Sequence, residues 1–182
     1  MDRQPTLNGE TLHLRPLAAG DWEALYAVAS DPLVWELHPA NDRWQEPVFR
    51  AFFADALAKG GALAVIDKVS GAIIGSSRMQ GFDPADGGSV EIGWTFLARS
   101  HWGGETNREM KRLMLAHALN CVARVDFRVG ENNLRSRRAM EKIGGRLSDR
   151  DGGVDQYASG PARHVVYEIR RETFAEGPLH SG

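Results

Sequence analysis

The hydrophobic and polar positions of the chain follow two different periods. Apolar residues recur at helical spacing in some segments, which predicts helices over residues 21–30, 46–59, 107–120 and 134–143. In other segments apolar and polar residues alternate, or β-branched residues are frequent. These segments predict strands over residues 11–14, 62–67, 72–80, 89–97, 124–129, 146–149 and 164–170. Residues 31–45 are expected to be a loop, and residues 1–10 and 175–182 to be frayed.

The order of these elements predicts the fold class. Antiparallel strands come first, and helices that alternate with strands follow, which indicates an α/β (α+β) fold with one mixed, mostly antiparallel sheet and helices on both faces. The chain of 182 residues is long enough to bury a core, and no linker or repeat divides it. We therefore expect a single domain over residues 1–182.

The composition and charge of the chain argue against several classes of partner and site. Charged residues make up 25%, apolar residues 42%, and the formal net charge is −2, which argues against nucleic acid as a partner. The single cysteine, Cys121, excludes an internal disulfide and a multi-cysteine metal site, and its apolar surroundings predict a buried side chain. No run approaches the ~20 apolar residues of a membrane helix, and the N-terminus lacks a signal-peptide pattern. We expect a cytoplasmic protein with no membrane partner and no metal.

The stretch RSHWGGETNRE, residues 99–109, places two glycines directly before a predicted helix. The first amides of a helix lack partners within it and favour an anion, and Gly103 and Gly104 allow close approach of bare backbone. Thr106 and Glu109 match a T-x-x-E capping box, which would fix the helix start. The pattern alone is compatible with two interpretations, an ordinary turn and a phosphate-binding loop.

The strand SVEIGWTFL places a carboxylate among apolar residues. Regular alternation predicts that one face carries Val90, Ile92, Trp94 and Phe96. Glu91 lies on the other face, next to the space left by Gly93. It is either an exposed or ion-paired residue, or a partly buried acid whose pKa is raised by desolvation and which accepts a proton near neutral pH.

The stretch GENNLRSRRAMEKIGG, residues 130–145, contains a second candidate. Asn133 is a good helix N-cap, and the glycine pair at its end is a good stop. Helical spacing puts Ser136 on the inward stripe with Met140 and Ile143. Its hydroxyl either bonds back to the carbonyl four residues earlier or points at a ligand.

The segment from Ser89 to Gly145 resembles the core of the GCN5-related N-acetyltransferases, the GNAT superfamily, and within it the ribosomal-protein alanine N-acetyltransferase branch. The matching stretches are EIGWTFLARSHWGG, TNREMKRLML, RVDFRV and ENNLRSRRAMEKIGG. The resemblance implies the acyl-CoA N-acyltransferase fold and acetyl-CoA as the cofactor. It also implies a small-molecule or peptide amine as the acceptor, and it leaves a homodimer open.

The resemblance also implies roles for residues. Glu91 would be the base for the acceptor amine, and Ser136 would protonate the departing thiolate. Coenzyme A would lie between two splayed strands, with its arm and diphosphate held by Phe96, Leu97, Arg99, Trp102, Gly103, Gly104, Glu105, Thr106, Asn107 and Asn133. A strand-end backbone N–H would stabilise the oxyanion. The loop departs from the usual pattern at Glu105, where a glycine is common, and at Asn107.

The acceptor would enter from the opposite side, past the predicted loop DPLVWELHPANDRWQE. Its candidate substrate-binding residues are Trp35, His38 and Trp44, although tryptophans in such loops also serve only to pack. The excess of acidic residues over residues 31–60 would suit a cationic amine or a peptide N-terminus.

Two functions from different classes remain open on the sequence. The first is an acetyl-CoA-dependent N-acetyltransferase in which the amine attacks the thioester directly, without a covalent enzyme intermediate. The second is a non-catalytic acyl-CoA-binding or scaffold protein of the same fold, motivated by Glu105 and by the lack of a tyrosine next to Ser136. A nucleotide-binding regulator is disfavoured because the loop matches neither GxGxxG nor GxxxxGK[ST].

Overall fold

A computed structural model describes residues 1–179, and in this range eight strands form one sheet. The strands are β1 (Leu7–Asn8), β2 (Leu12–Pro16), β3 (Ala62–Asp67), β4 (Ile73–Asp83), β5 (Ser89–Leu97), β6 (Arg124–Gly130), β7 (Arg146–Tyr157) and β8 (Gly160–Arg170). Their order is β1-β2-β3-β4-β5-β6-β8-β7, and every neighbouring pair is antiparallel except β5 and β6. This confirms the predicted mixed, mostly antiparallel sheet.

Helices cover both faces of the sheet. They are α1 (Trp22–Ala29), α2 (Pro32–Trp35), α3 (Glu46–Lys59), α4 (Thr106–Leu119), α5 (Leu134–Lys142) and α6 (Arg171–Ala175). Strand β3 shows how the sheet divides the core, because its side chains alternate between the two faces. Leu63 and Val65 pack in the cluster that contains Met110 of α4, whereas Ala62 packs in the cluster that contains Phe49 of α3.

Strand β5 carries a β-bulge that changes which face its residues occupy. Ser76 pairs with Phe96 and Arg78 pairs with Gly93, so one residue of β4 opposes two residues of β5. Trp94 lies in the bulge with φ = 53°, in the left-handed region. As a result Ile92 packs on the α4 face, but Phe96 packs on the α3 face. The prediction of one shared face was wrong because it assumed regular alternation through the bulge.

The parallel pair β5–β6 separates soon after it begins. The strands pair at Ser89 with Arg124, Val90 with Val125, and Glu91 with Asp126. No further pairing of these two strands occurs in the described residues, although β5 continues to Leu97 and β6 to Gly130. The remainder of the two strands therefore bounds a gap in the sheet.

The N-terminal segment was expected to be frayed, but it is tied to the body of the protein. Gln4 donates a side-chain hydrogen bond to the carbonyl of Ala62 (3.3 Å), and His117 contacts the carbonyl of Asp2 (2.7 Å). Near the other end, α6 follows β8 directly and Leu179 is buried in the α4-side core. Residues 180–182 of the predicted frayed tail lie outside the described residues.

Cys121 is exposed, so the prediction of a buried side chain was wrong. Helix α4 ends at Leu119, and Cys121 lies in the turn that follows. Leu119 and Val122 on either side of it enter the core instead. The apolar surroundings in the sequence belong to these neighbours, and the turn directs the thiol outward.

Gly75 allows β4 to approach β5 beside the bulge. A Cβ at Gly75 would lie 2.1 Å from the carbonyl oxygen of Phe96. We expect Gly75→Ala to destabilise the protein by about 1–3 kcal/mol, because the strand must shift to relieve the overlap. Chemical denaturation of the variant beside Gly20→Ala, whose Cβ would meet nothing within 4 Å, measures this. Equal stability of the two variants would contradict the close packing.

Candidate active site

A cavity of about 840 Å³ opens where β5 and β6 diverge. It extends from the β5–α4 loop, past α4 and α5, to the segment after α2. Most residues of the sequence-predicted site line it: Trp35, His38, Phe96, Leu97, Trp102, Gly103, Gly104, Glu105, Asn107, Asn133 and Ser136. Glu91, Arg99, Thr106 and Trp44 are not among its lining residues.

The glycine loop has the geometry of an anion-binding helix start. The left-handed residue is Gly103 (φ = 73°), and neither Gly103 nor Gly104 has a heavy atom within 4 Å of its ideal Cβ position. Glu105 lies just before α4 with φ = −78° and ψ = −11°, so it needs no left-handed conformation. The first amides of the 14-residue helix α4 follow directly.

The predicted capping box at this helix does not form. Thr106 is the first residue of α4, and no side chain caps the helix start. Glu109 instead accepts hydrogen bonds from the backbone N–H of Thr11 (3.0 Å) and of Leu12 (3.3 Å). The carboxylate therefore ties α4 to β2, and the amides at the helix start are left without a side-chain partner.

Trp102 fixes the loop to its surroundings. Its Nε1 donates to the carbonyl of Leu97 (2.9 Å), and the guanidinium of Arg135 lies 4.1 Å from the centre of its ring. Arg135 also donates to the carbonyl of Val34 (3.3 Å), which connects α5 with α2. Arg99 lies outside the cavity and donates to Asp31 (2.5 Å).

The charge of the cavity is basic. Its cationic lining residues are Arg108, Lys111, Arg128, Arg135, Arg138 and Lys142, whereas Glu105 is its carboxylate among the described residues. The Glu105 side chain is 86% exposed and pairs with Arg108 (3.4 Å), so its charge is partly neutralised and faces solvent. Such a cavity fits a molecule with several negative charges.

Glu91 lies at the last rung of the β5–β6 pairing, opposite Asp126. Its Oε1 would be 3.3 Å from a Cβ at Gly93, and Gly93 lines the cavity. Burial raises the pKa of Glu91, and the nearby Arg128 guanidinium partly opposes this effect. The carboxylate is half-buried beside the apex of the gap and is suited to accept a proton.

The start of α5 places a hydroxyl on the cavity wall. Asn133 is the N-cap, as predicted, and its Oδ1 accepts the backbone N–H of Ser136 (3.1 Å). The Ser136 hydroxyl has no hydrogen-bond partner in residues 1–179, so the alternative of a bond back into the helix is not what the structure has. Its donor and acceptor capacity is available to a ligand.

The three residues predicted to bind the acceptor lie in different environments. Trp35 is 2% exposed, donates from Nε1 to the carbonyl of Ala29 (2.8 Å) and packs on Phe96 (ring centres 5.0 Å apart), so it is a core residue at the cavity edge. Trp44 lies on the surface, 40% exposed. His38 accepts the backbone N–H of Ala40 at Nδ1 (2.9 Å).

His38 is held neutral at the cavity wall. Burial, and to a smaller extent the charge of the neighbouring Arg43, lower its pKa to about 3. Because Nδ1 accepts a backbone N–H, the ring proton lies on Nε2. His38 therefore offers a neutral hydrogen-bond donor at this wall of the cavity.

Two functional candidates were missed by sequence reasoning. His164 of β8 lines the cavity, is 7% exposed, and its Nε2 lies 3.3 Å from the Tyr157 hydroxyl. Lys111 of α4 also lines the cavity and is 2% exposed, with Nζ donating to Thr95 Oγ1 (2.8 Å). Burial lowers the pKa of Lys111 to about 7. The sequence offers no signal for this role of Lys111, because its position in a helix does not by itself reveal an inward amine.

A family model described as "Acetyltransferase (GNAT) domain" matches residues 11–146. The chain is a member of the GNAT acetyltransferase family. It is therefore an N-acetyltransferase of the family that uses acetyl-CoA, and the resemblance of the sequence to the GNAT superfamily is confirmed. No curated protein sequence matches the chain.

Solved GNAT structures have the same fold. A GCN5-related N-acetyltransferase from Brucella melitensis is 21% identical, with a TM-score of 0.79 over 94% of this chain and 80% of that one. Mycobacterium smegmatis RimJ in complex with CoA-disulfide is 19% identical, with a TM-score of 0.68 over 93% and 86% of the two chains. Spermidine N-acetyltransferase from Vibrio cholerae, in complex with CoA and spermine, is 14% identical, with a TM-score of 0.67 over 91% and 99%.

No helix in the described range of this GNAT protein has the length and apolar character needed to cross a membrane.

The buried Lys111 predicts a pH-dependent stability. Its pKa is about 7 in the folded protein and near 10.5 when exposed, so between these values the unfolded chain holds the extra proton and unfolding becomes less favourable as pH rises. Below pH 7 both states are protonated and the full cost of burying the charge remains. We therefore expect Lys111→Met to raise the Tm by several degrees at pH 6, with a smaller gain at pH 10, in thermal denaturation.

Lys68→Met is the control, because Lys68 lies in the exposed turn after β3. A Lys111→Met gain that does not change with pH would contradict the assigned burial cost.

Proposed function

We propose that this GNAT protein transfers the acetyl group of acetyl-CoA to a primary amine of a peptide, a protein N-terminus or a small molecule. The observation that carries the proposal is the early separation of β5 and β6, which opens a basic groove from the glycine loop to Gly93, next to the carboxylate of Glu91. A groove of this form takes a long, anionic cofactor at one end and an amine at the other.

The groove fits coenzyme A by its chemistry. The open backbone at Gly103 and Gly104 and the amides at the start of α4 suit the diphosphate. Arg108, Arg138 and Lys142 line the same region and would pair with phosphate oxygens. Along the gap, the unpaired edge of β5 beyond Glu91 offers backbone groups to the pantetheine amides.

The chain's own residues divide the reaction between them. The bound cofactor supplies an activated acetyl group as a thioester. Glu91 takes the proton of the acceptor ammonium, directly or through a water, so that the amine can attack. Backbone N–H groups of β5 at the bulge would stabilise negative charge on the carbonyl oxygen, and the Ser136 hydroxyl, which lines the cavity, would hydrogen-bond the leaving sulfur.

The acceptor end combines both signs of charge. Around Glu91 lie Asp126 and Asp155, with Arg128 donating to Asp155 (3.1 Å). Asp126 is itself paired with Arg124 (3.0 Å) and Arg150 (2.6 Å), so Glu91, which forms no ion pair in residues 1–179, is the carboxylate that would attract an ammonium-bearing acceptor to the apex of the gap.

The non-catalytic alternative loses its main support. It rested on Glu105 as a residue that would distort the loop and repel the diphosphate. In the structure Glu105 has ordinary helical dihedrals and an exposed side chain paired with Arg108.

Replacing the proposed base tests the chemistry. We expect Glu91→Gln to lower kcat/KM about 10²–10⁴-fold, because no carboxylate remains to take the amine proton. Thiol release from acetyl-CoA across a panel of amines and N-terminal peptides measures the rate, and calorimetry should give unchanged coenzyme A affinity. In the native protein the acidic limb of kcat/KM should lie above pH 4.5, because burial raises the pKa of Glu91. Glu172→Gln on α6 is the control, and equal rates for both variants would contradict the assignment.

Removing the loop carboxylate tests where the phosphates bind. We expect Glu105→Gln to strengthen coenzyme A binding about 2–5-fold at low salt, because an exposed charge near the diphosphate contributes up to ~1 kcal/mol. The gain should shrink as salt screens the repulsion. Calorimetry at two ionic strengths, with Glu23→Gln of α1 as the control, measures it. Weaker binding by Glu105→Gln would place the phosphates elsewhere.

A further inference from the structure

Lys111 is a buried amine without an acidic partner. Its Nζ donates to Thr95 Oγ1 (2.8 Å) and to Ser77 Oγ (3.4 Å), and it lies 5.6 Å from the centre of the Phe127 ring. No carboxylate in residues 1–179 forms an ion pair with it. Burying an amine without a charged partner costs free energy of folding. Because this amine lies on the wall of the cavity, we infer that it has a function there.

The position of Nζ coincides with the apex of the gap. Glu91 and Asp126 form the last rung of the β5–β6 pairing, and Phe127 is the next residue of β6. Thr95 belongs to the bulge of β5. Lys111, Thr95 and Phe127 all line the cavity, so Nζ lies where the two strands begin to separate.

Lys111 and Glu91 approach this apex from opposite faces of the sheet. Val90 and Ile92 pack on the α4 face, so Glu91 between them projects to the other face. Helix α5 packs on the α4 face through Met140, which puts Ser136 and Lys111 on the same side. An amine activated by Glu91 would therefore attack from one face, and the sulfur would leave towards the face of Lys111.

The leaving sulfur needs a proton. Two groups lie on its side of the sheet, the Ser136 hydroxyl and the Lys111 amine, and they differ in acid strength. A serine hydroxyl is a very weak acid, whereas burial brings the pKa of Lys111 to about 7, close to working pH. The side chains that meet Nζ from β4, β5 and β6 are Ser77, Thr95 and Phe127, none of them charged, and Arg108 of α4 lines the same cavity one turn earlier. None of the side chains in contact with Nζ carries a negative charge that would stabilise its protonated form.

We propose that Lys111 contacts the sulfur of coenzyme A and donates the proton that the departing thiolate takes up. This inference rests on the proposed function. The C–S bond breaks with its electron pair going to sulfur, a proton moves from Nζ to sulfur, and the neutral amine regains a proton from water. Ser136 then hydrogen-bonds the sulfur and orients it.

The direct test is the ionisation of bound coenzyme A. Thiolate absorbs in the far ultraviolet, so a pH titration of the complex by difference absorbance gives the pKa of the bound thiol. The thiolate and the ammonium of Lys111 stabilise each other within about 4–6 Å, so Nζ keeps its proton while the thiol titrates, and we expect a thiol pKa about 1–3 units below that of free coenzyme A. Lys111→Met should return the bound thiol to the free value or above, and Lys68→Met should not.

Lys111→Arg separates charge from proton donation. Arginine keeps the positive charge but does not give up its proton, so this variant should keep the lowered thiol pKa and still lose turnover at least tenfold. Retained turnover in Lys111→Arg would overturn the proton-donor role.

The outcomes distinguish this inference from the proposed function. Failure of the native protein to bind coenzyme A in calorimetry removes both. Binding with an unlowered thiol pKa, or the same lowered pKa in Lys111→Met, overturns only the role of Lys111. If neither variant folds, the native titration alone decides, since a thiol pKa equal to that of free coenzyme A contradicts the contact and a lowered one supports it.

Discussion

The structure depends on the point at which β5 and β6 stop pairing. Parallel strands normally continue their hydrogen bonds for as long as both are extended, because unpaired backbone groups are costly to bury. Here the pairing ends at Glu91 and Asp126, and the strands run on without each other. The bulge at Trp94 turns β5 away from β6 at this point, and β4 follows β5 because Gly75 allows close contact. The unpaired backbone N–H and C=O groups are therefore available to hydrogen-bond a ligand.

Other features of the site follow from this gap. The loop after β5 leads directly to the start of α4, so the open amides face the outer end of the gap. Trp102 holds the loop by its bond to Leu97, and Arg135 holds Trp102 to α5. The last paired rung carries Glu91 on one face, and the buried Lys111 reaches the apex from the other. A long anionic cofactor and an amine can therefore meet at one place without either crossing the sheet.

The sequence predicted the parts of this arrangement that depend on local pattern. The helices α1, α3, α4 and α5, the glycine loop and the Asn133 cap all follow from spacing and capping preferences, and the structure has them close to the predicted bounds. The features it missed depend on contacts between distant segments. The bulge requires the register with β4, the capping box failed because Glu109 bonds to the backbone of β2, and the burial of Lys111 depends on Thr95 and Ser77. The residue types at these positions carry no local signal of such partners.

Hydrogen exchange of the backbone amides, with and without coenzyme A, tests the central claim that the gap between β5 and β6 holds the cofactor. We expect slowed exchange in residues 94–97 and 103–108, at the unpaired edge of β5 and the start of α4, and little change on β1, β2 and β7. Slowed exchange elsewhere, or an unchanged loop and β5 edge in a protein that binds coenzyme A, would contradict this binding site.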